Sequence, residues 1–401
     1  MGYVIFEDAG RFDLQPFTFT RPVYDLRCGL LTAAERWQKT LEAPVKGYAF
    51  DYLGAHFEQS AAPGDIWING RLIPDEDLLS LIRHTAPGEY TLSAQGALLT
   101  ACLPEMPRAF SGLVTTEWLE HMGLKAVATG LTPVMFSQLP DLFRHAAHCI
   151  RTDFSLLTQE GASQPIKDPY TRIYGADNIY VSEGVNIKAA VINAEDGPIY
   201  FGKGVTISEG ALIHGTHGFG PFSTVQMGAK LRGDSAFGPY VKVGGEIGNS
   251  VIMGNSNKGH EGYLGNSVLG YWCNIGADTN NSNLKNNYDE VKLWHYPTGR
   301  FRATGLQFCG LMMADHAKCG INTMFNTGTV VGVSANVFGA GFPRNFVPDF
   351  SWGGAASMTT YALDKALDTA NRVMIRRNLQ LTEGERAIMK YVFDQTAKFR
   401  P

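Results

Sequence analysis

The sequence predicts two architectures in one chain: an α/β sheet domain, then a parallel β-helix that ends in α-helices. Three observations predict this. Up to about residue 137, short apolar runs alternate with segments of helical period. From Ile173 the apolar period becomes six, which is neither the 3.6 of a helix nor the 2 of a strand. Glycine, 45 of 401 residues, is concentrated beyond residue 174.

Taken in order, YVIFED (3–8) opens as a short buried strand, and LLTAAERWQKTL (30–41) has a helix's spacing with polar residues on the far side. DIWING, LLSLIRH and YTLSA continue the alternation, which favours a sheet with helices packed on it. PDLFRHAAHCIRTDFSLL (140–157) reads as a linking helix, and QPIKDP (164–169) breaks the chain. Then Ile173, Ile179, Val185 and Val191 fall six apart. So do Phe201, Ile207, Ile213, Phe219, Val225, Leu231, Phe237 and Val243, and later Val331 and Val337. One apolar residue per six, with small residues and glycine between, is the hexapeptide signature of a parallel β-helix. Each unit forms one flat side with its apolar residue inward, and glycine takes turns that need positive φ. The polar stretch 254–292 fits as coil whose side chains must be small for turns to stack. The tail is helical, with Thr382 and Glu385 as a capping box. The expected domains are 1–137, a linker over 138–170, the β-helix over 171–354 and terminal helices over 355–401.

A net charge of −4 gives no footprint for nucleic acid, though a local phosphate pocket is compatible with it. No apolar stretch of about 18 residues exists to span a membrane, and MGYVIFEDAG lacks the basic start of a signal peptide. The six cysteines form no CxxC pair, which argues for reduced thiols and a cytoplasmic protein without structural zinc.

Within the β-helix, KGHxxYLG at 258–265, NIGAxT at 274–279 and NNYD at 286–289 resemble the acetyltransferase domain of the bifunctional GlmU enzymes. These are N-acetylglucosamine-1-phosphate uridylyltransferase/glucosamine-1-phosphate acetyltransferases. RPVYDLRCGLLTAAERW, GGEIGNSVI and SNKGHEGYLGNSVLG resemble the variant form of Bacteroidetes-type bacteria. The resemblance implies a left-handed β-helix, a homotrimer, acetyl-CoA as donor and an amino-sugar phosphate as acceptor. It implies His260 as general base on the sugar amine and Glu246, fourteen residues upstream, as the carboxylate that orients it. Tyr263 and Asn274 would hold the sugar phosphate and the sugar, with Arg232 and Lys292 on phosphate. Ala277 would run its backbone along acetyl-CoA, with Asn287 and Tyr288 beside the transferred group. Gly248 stands where the family has a lysine, with Lys242 and Lys285 as substitutes, and Ile321 falls near the family's polarising serine.

The chemistry suits these residue types. A histidine takes a proton near neutral pH, and a carboxylate on its other ring nitrogen fixes the tautomer. The bland alternative is a turn histidine beside a solvated glutamate. For Asn280, Asn281 and Asn283 a ladder satisfying turn backbone is the better reading; for Asn287, function. Asp315, His316, Lys318 and Asn322 would line the cofactor groove, meet a neighbouring subunit or face solvent. Arg344, Arg376 and Arg377 are candidates for CoA phosphates, a helix surface being the simpler reading for the last two.

In the first half, RFDLQPFTFTRP (11–22) resembles the signature of sugar nucleotidyltransferases, with Arg11, Pro16, Thr18 and Pro22 in place. Its glycine-rich segment is reduced to AGR and its lysine is Val23, with Arg21 and Arg27 as replacement charges. Asn69-Gly70-Arg71 stands where Mg²⁺ is usually held, with Asp75 and Asp77 displaced. Arg11, Thr18 and Arg21 are the expected nucleotide contacts; no metal ligand is assigned. Three functions follow: a bifunctional enzyme of UDP-N-acetylglucosamine synthesis, a non-catalytic nucleotide-sugar-binding regulator, or an acetyltransferase for another amino sugar.

Overall fold

The computed structural model describes residues 2–105, 112–159 and 161–401. The chain divides into two compact units. One comprises Met1–Leu26, Leu31–Ser137 and Thr382–Ile388; the other Arg27–Leu30, Gln138–Leu381 and Met389–Pro401.

The first unit is built on a six-stranded mixed sheet. Its strands are β1 (Tyr3–Phe6), β2 (Val45–Tyr48), β3 (Ile66–Asn69), β4 (Glu89–Leu92), β5 (Leu98–Cys102) and β6 (Lys125–Ala128), in the order β2-β1-β3-β5-β4-β6. Val4, Phe6, Trp67, Tyr90 and Leu103 form its core. Helix α1 (Ala33–Leu41) starts at a reciprocal cap in which the Thr32 hydroxyl accepts from the Glu35 N–H and Glu35 accepts from the Thr32 N–H.

The second unit begins with α-helices at Asp141–Arg144 and Ala146–Thr158 and continues as a prism of stacked coils. Each coil lays short parallel strands on three faces. The first face has six strands, from Arg172–Tyr174 to Tyr263–Gly265. The second has nine, from Ile179–Val181 to Phe346–Val347, and the third five, from Asn186–Ile187 to Asn257–Lys258. The third face resumes in the sheet of Lys318–Cys319, Asn336–Val337 and Ser351–Gly353, bridged by Asn274. All eight residues of the long hexapeptide run, Phe201 to Val243, lie in the prism core, as do Val331 and Val337. Val191 departs from the expected phase. It pairs with Arg172 and Leu212 on the outer side, and Ile192 takes the inward place. The coil there is simply one residue out of step. A helix follows at Leu363–Ile375; the last, Glu383–Gln395, is entered through the Thr382–Glu385 box, its residues to Ile388 counting with the first unit and those from Met389 with the second.

The middle of the prism is an aromatic stack. Phe201 and Phe219 lie 5.1 Å apart and Phe219 and Phe237 5.2 Å apart, all fully buried. His217 joins them at 5.9 Å from Phe219, and burial lowers its imidazolium to about 4. In the unfolded chain a histidine binds its proton near 6.5, so between pH 6.5 and 4 the unfolded state holds a proton that the native state refuses. Stability therefore falls as pH drops through that window, by roughly 3 kcal/mol in all. Urea unfolding of wild type should lose that much more between pH 7 and 4 than unfolding of His217→Leu; equal losses would refute the buried neutral ring.

Candidate functional site

The site grows from one corner of the prism. Between the third and first faces, Gly244 and Gly245 alone join Val243 to Glu246. One coil later, Gly259, His260, Glu261 and Gly262 join Lys258 to Tyr263, although Val243 pairs with Lys258 and Glu246 with Tyr263. Four residues is also the length of this corner at 208–211 and 226–229, so Gly244–Gly245 is the short exception, and His260 takes the exposed place held there by Glu209 and Met227. Gly262 has φ 113° and its α-carbon faces the Thr279 carbonyl so closely that no side chain fits. The next corners stack on this one: the Asp278 N–H donates to Glu261 O (3.0 Å), and the Asn322 N–H to Ala277 O (2.8 Å). His260, Ala277 and Ile321 thus occupy successive storeys of one corner, with Ile321 70% exposed.

Beneath His260 lies a residue the sequence reading quoted but gave no role. Lys258 holds the inward place of Ile187, Ile207, Val225 and Val243 and is 1% exposed. Its ammonium donates to the carbonyls of Gly244 (3.2 Å), Glu261 (3.2 Å) and His260. Burial lowers it to about 8. A charged residue in the inward phase of a hexapeptide run was the available signal.

On the adjoining first face, Lys230, Glu246 and Tyr263 stand in one register column, with Arg232 beside them. Arg232 Nε binds Glu246 Oε1 at 2.9 Å, and its guanidinium lies 5.8 Å from the Tyr263 ring centre. The phenol of Tyr263 accepts from Asn283 Nδ2 at 3.0 Å. Glu246 therefore engages Arg232 rather than His260, whose ring has no hydrogen bond or ion pair among the described residues. A second histidine, His214, sits in register with Arg232 and pairs with Asp196 at 2.9 Å. Nothing in the period marks that pair, because both partners are exposed.

The asparagine run serves as a ladder. Asn280 Oδ1 accepts from the Tyr263 N–H (2.8 Å) and Asn281 Oδ1 from the Gly265 N–H (2.9 Å). Asn274 is exposed on the third face, bridging Asn257 and Lys318. Asn287 turns on itself, donating to Asp289 (2.5 Å), in an exposed loop with Tyr288. Lys292 opens the hairpin of Lys292–His295 and Arg300–Ala303, and with Arg344 it lines a separate cavity. Asp315 is buried and accepts from the Tyr271 N–H, while Lys318 donates to the His316 carbonyl.

In the first unit, Arg11 and Thr18 are buried and closed on each other. Arg11 pairs with Glu7 (3.0 Å) and donates to Thr18 O (2.6 Å), while the Thr18 hydroxyl donates to Arg11 O. Arg21 pairs with Asp25. The loop after β1 is filled by Arg71, which grips Asp8 with Nε (2.7 Å) and Nη2 (2.5 Å) and leaves no room for a side chain at Gly10. Asn69 donates to the same carboxylate (2.8 Å), and Asp75 caps the helix of Glu76–His84. Among the described residues no three His, Cys, Asp or Glu side chains converge as a metal set. With Asp8 held by an arginine and an amide, this donor set does not fit Mg²⁺.

Lys258→Met keeps the side chain's length but leaves the Gly244 and His260 carbonyls without this donor and Glu261 O with the Asp278 N–H alone. Backbone amides of 259–262 should exchange with deuterium faster in that variant, whatever its global stability. Unchanged protection would show that the ammonium does not hold the corner.

A family model described as sugar nucleotidyl transferase matches residues 3–162. The bifunctional protein GlmU of Methanocaldococcus jannaschii is 33% identical over 87 residues, 22% of this chain and 21% of that protein. The bifunctional sugar-1-phosphate nucleotidylyltransferase/acetyltransferase of Sulfurisphaera tokodaii is 32% identical over 93 residues, 23% of each chain. The matched part spans about a fifth of the length of these curated relatives. A solved Arabidopsis UDP-N-acetylglucosamine acyltransferase matches 58% of this chain and 98% of its own at 14% identity, with a TM-score of 0.24. No helix among the described residues is long and apolar enough to cross a membrane.

Proposed function

We propose that this protein transfers the acetyl group of acetyl-CoA to the amine of an amino-sugar phosphate, glucosamine 1-phosphate, with His260 as general base. The observation that carries the reading is the corner itself. An exposed imidazole stands on the corner adjoining a face that bears Lys230, Arg232, Glu246 and Tyr263. Cations and a phenol there suit a sugar phosphate, and the storeys of Ala277 and Ile321 offer a thin edge for the donor. The relatives named as acetyltransferases support the same class.

The acceptor's phosphate would compete with Glu246 for Arg232. Once released, Glu246 turns to the His260 ring N–H and holds the tautomer whose free nitrogen takes the amine proton. Attack of the amine on the thioester carbonyl forms the C–N bond. The C–S bond then breaks, and the CoA sulfur leaves with the electron pair. Ile321 supplies no hydrogen bond to the developing oxyanion, so backbone N–H groups of the stacked corners take that role. We place the assembly as a homotrimer, in keeping with the exposed apolar side chains of Ile321, Phe338 and Phe342; a monomer in sedimentation would contradict it.

Purified protein with acetyl-CoA and glucosamine 1-phosphate should release free thiol. His260→Ala should reduce that rate at least 100-fold, about 3 kcal/mol of barrier, while His214→Ala should leave it unchanged. The reverse pattern would move the base to the His214–Asp196 pair. If neither variant matters and no thiol appears, the regulator or another acceptor sugar is the better reading.

The family match over 3–162 supports sugar-nucleotide chemistry in the first unit, the condensation of N-acetylglucosamine 1-phosphate with UTP. The closed Asp8–Arg71 and Glu7–Arg11 pairs weigh against it. Pyrophosphate released from those two substrates would uphold the assignment. No release would leave that unit binding nucleotide sugar or serving as a scaffold.

A further inference from the structure

In the first unit, Asp8, Asn69 and Arg71 meet where the ends of two central strands diverge. β1 lies between β2 and β3 and runs parallel to both, so the chain's path across the sheet reverses there. In open α/β sheets the crevice at such a point, outside the carboxyl ends of the strands, is where ligands bind. Glu7 and Asp8 follow β1, and Asn69 closes β3 with Arg71 just beyond it.

An ionised carboxylate offers about four lone-pair sites, and those of Asp8 are filled. Its Oδ1 accepts from the Gly10 N–H (3.1 Å) and Arg71 Nε (2.7 Å), its Oδ2 from Asn69 Nδ2 (2.8 Å) and Arg71 Nη2. The Asn69 oxygen is turned to the Arg71 N–H (3.0 Å). Beside them, Glu7 accepts from Arg11 (3.0 Å) and from the N–H groups of Val23 (2.8 Å) and Phe50 (2.7 Å). Each of these two buried acids is matched by one guanidinium, which leaves no excess negative charge to draw in a divalent ion. The cation is itself fixed. Arg71 Nη1 donates to Phe136 O (3.1 Å), and a β-carbon at Gly10 would collide with the guanidinium, so the loop after β1 lies directly on it.

We infer that Arg71 takes the place of a divalent cation in this unit: its guanidinium balances Asp8, sets the loop after β1 and makes the unit independent of metal. A guanidinium stays charged across the pH range in which proteins fold, and no chelator removes it. Mg²⁺ requires oxygen lone pairs in near-octahedral geometry. To reach Asp8 it would have to displace Arg71 and leave a buried guanidinium without its partner. Any nucleotide sugar this unit handles is then handled without a divalent ion. The inference goes beyond acetyl transfer and does not rest on it.

Titration of the full chain with Mn²⁺, followed by electron paramagnetic resonance, is the experiment. Wild type should show no Mn²⁺ site that Asp8→Asn removes; a site lost in that variant would overturn the inference. Asn69→Asp/Arg71→Ala sets two acids side by side and takes the cation away. It should bind Mn²⁺ roughly tenfold or more tightly than wild type, and adding Asp8→Asn should cancel the gain. The inference also fails if that double variant, folded by circular dichroism, gains no affinity. Where pyrophosphate is released from UTP and N-acetylglucosamine 1-phosphate, EDTA should not stop it; release that requires both Mg²⁺ and Asp8 sinks the inference. Absence of release counts against the transferase reading alone, because Mn²⁺ uptake is read without turnover.

Discussion

Register between coils is the constraint on which everything in the second unit depends. Every coil hands its backbone hydrogen bonds to the next, so a residue's storey and face are fixed by how many residues each corner spends. At the His260 corner four residues is the common length, at 208–211, 226–229 and 259–262, and Gly244–Gly245 bridges the same two faces with two. In the four-residue corner 259–262 His260 is exposed, and a buried ammonium ties its carbonyl down from inside. A lysine is an expensive way to fill an inward position. It is tolerated because three carbonyls point at it.

The period of six made the prism legible. From Phe201 to Val243 the apolar residues fall in one phase and all lie inside, because strands of constant length stacked in register leave no other solution. Legibility weakened where corner lengths change. Val191 was misplaced because that coil is one residue out of step, and Lys258 went unassigned because chemistry, not hydropathy, places it inward. The partner of Glu246 was not readable either. The spacing suggested His260 for Glu246, but the register sets Glu246 opposite Lys230 and beside Arg232, and the guanidinium takes the carboxylate. Gly248, opposite Arg232 in the register, leaves that side chain free to lean across.

The first unit shows the opposite case. Its signature residues were recognisable one by one, yet their side chains close inward. Glu7 alone accepts from Arg11, Val23 and Phe50, and Asp8 is shared by Arg71 and Asn69. Two of the departures from the familiar pattern, Asn69 and Arg71, bring side-chain donors that satisfy Asp8 internally. A linear motif records which residue types are present and not whether their charges are already spent.

The excursion 282–310 leaves the prism after Asn281 and returns at Leu311, where the Val268 N–H bonds directly to Leu311 O at 2.8 Å. The register skips the excursion, Val268 meeting Met312 as though they were successive rungs, while Ser282 and Gly310 at its ends still bond to Phe325 O and Asn266 O. Such a detour is a socket. Loops of other lengths and chemistries can be plugged between the same two rungs, so that ligand preference is free to diversify by cassette exchange while the scaffold beneath stays untouched.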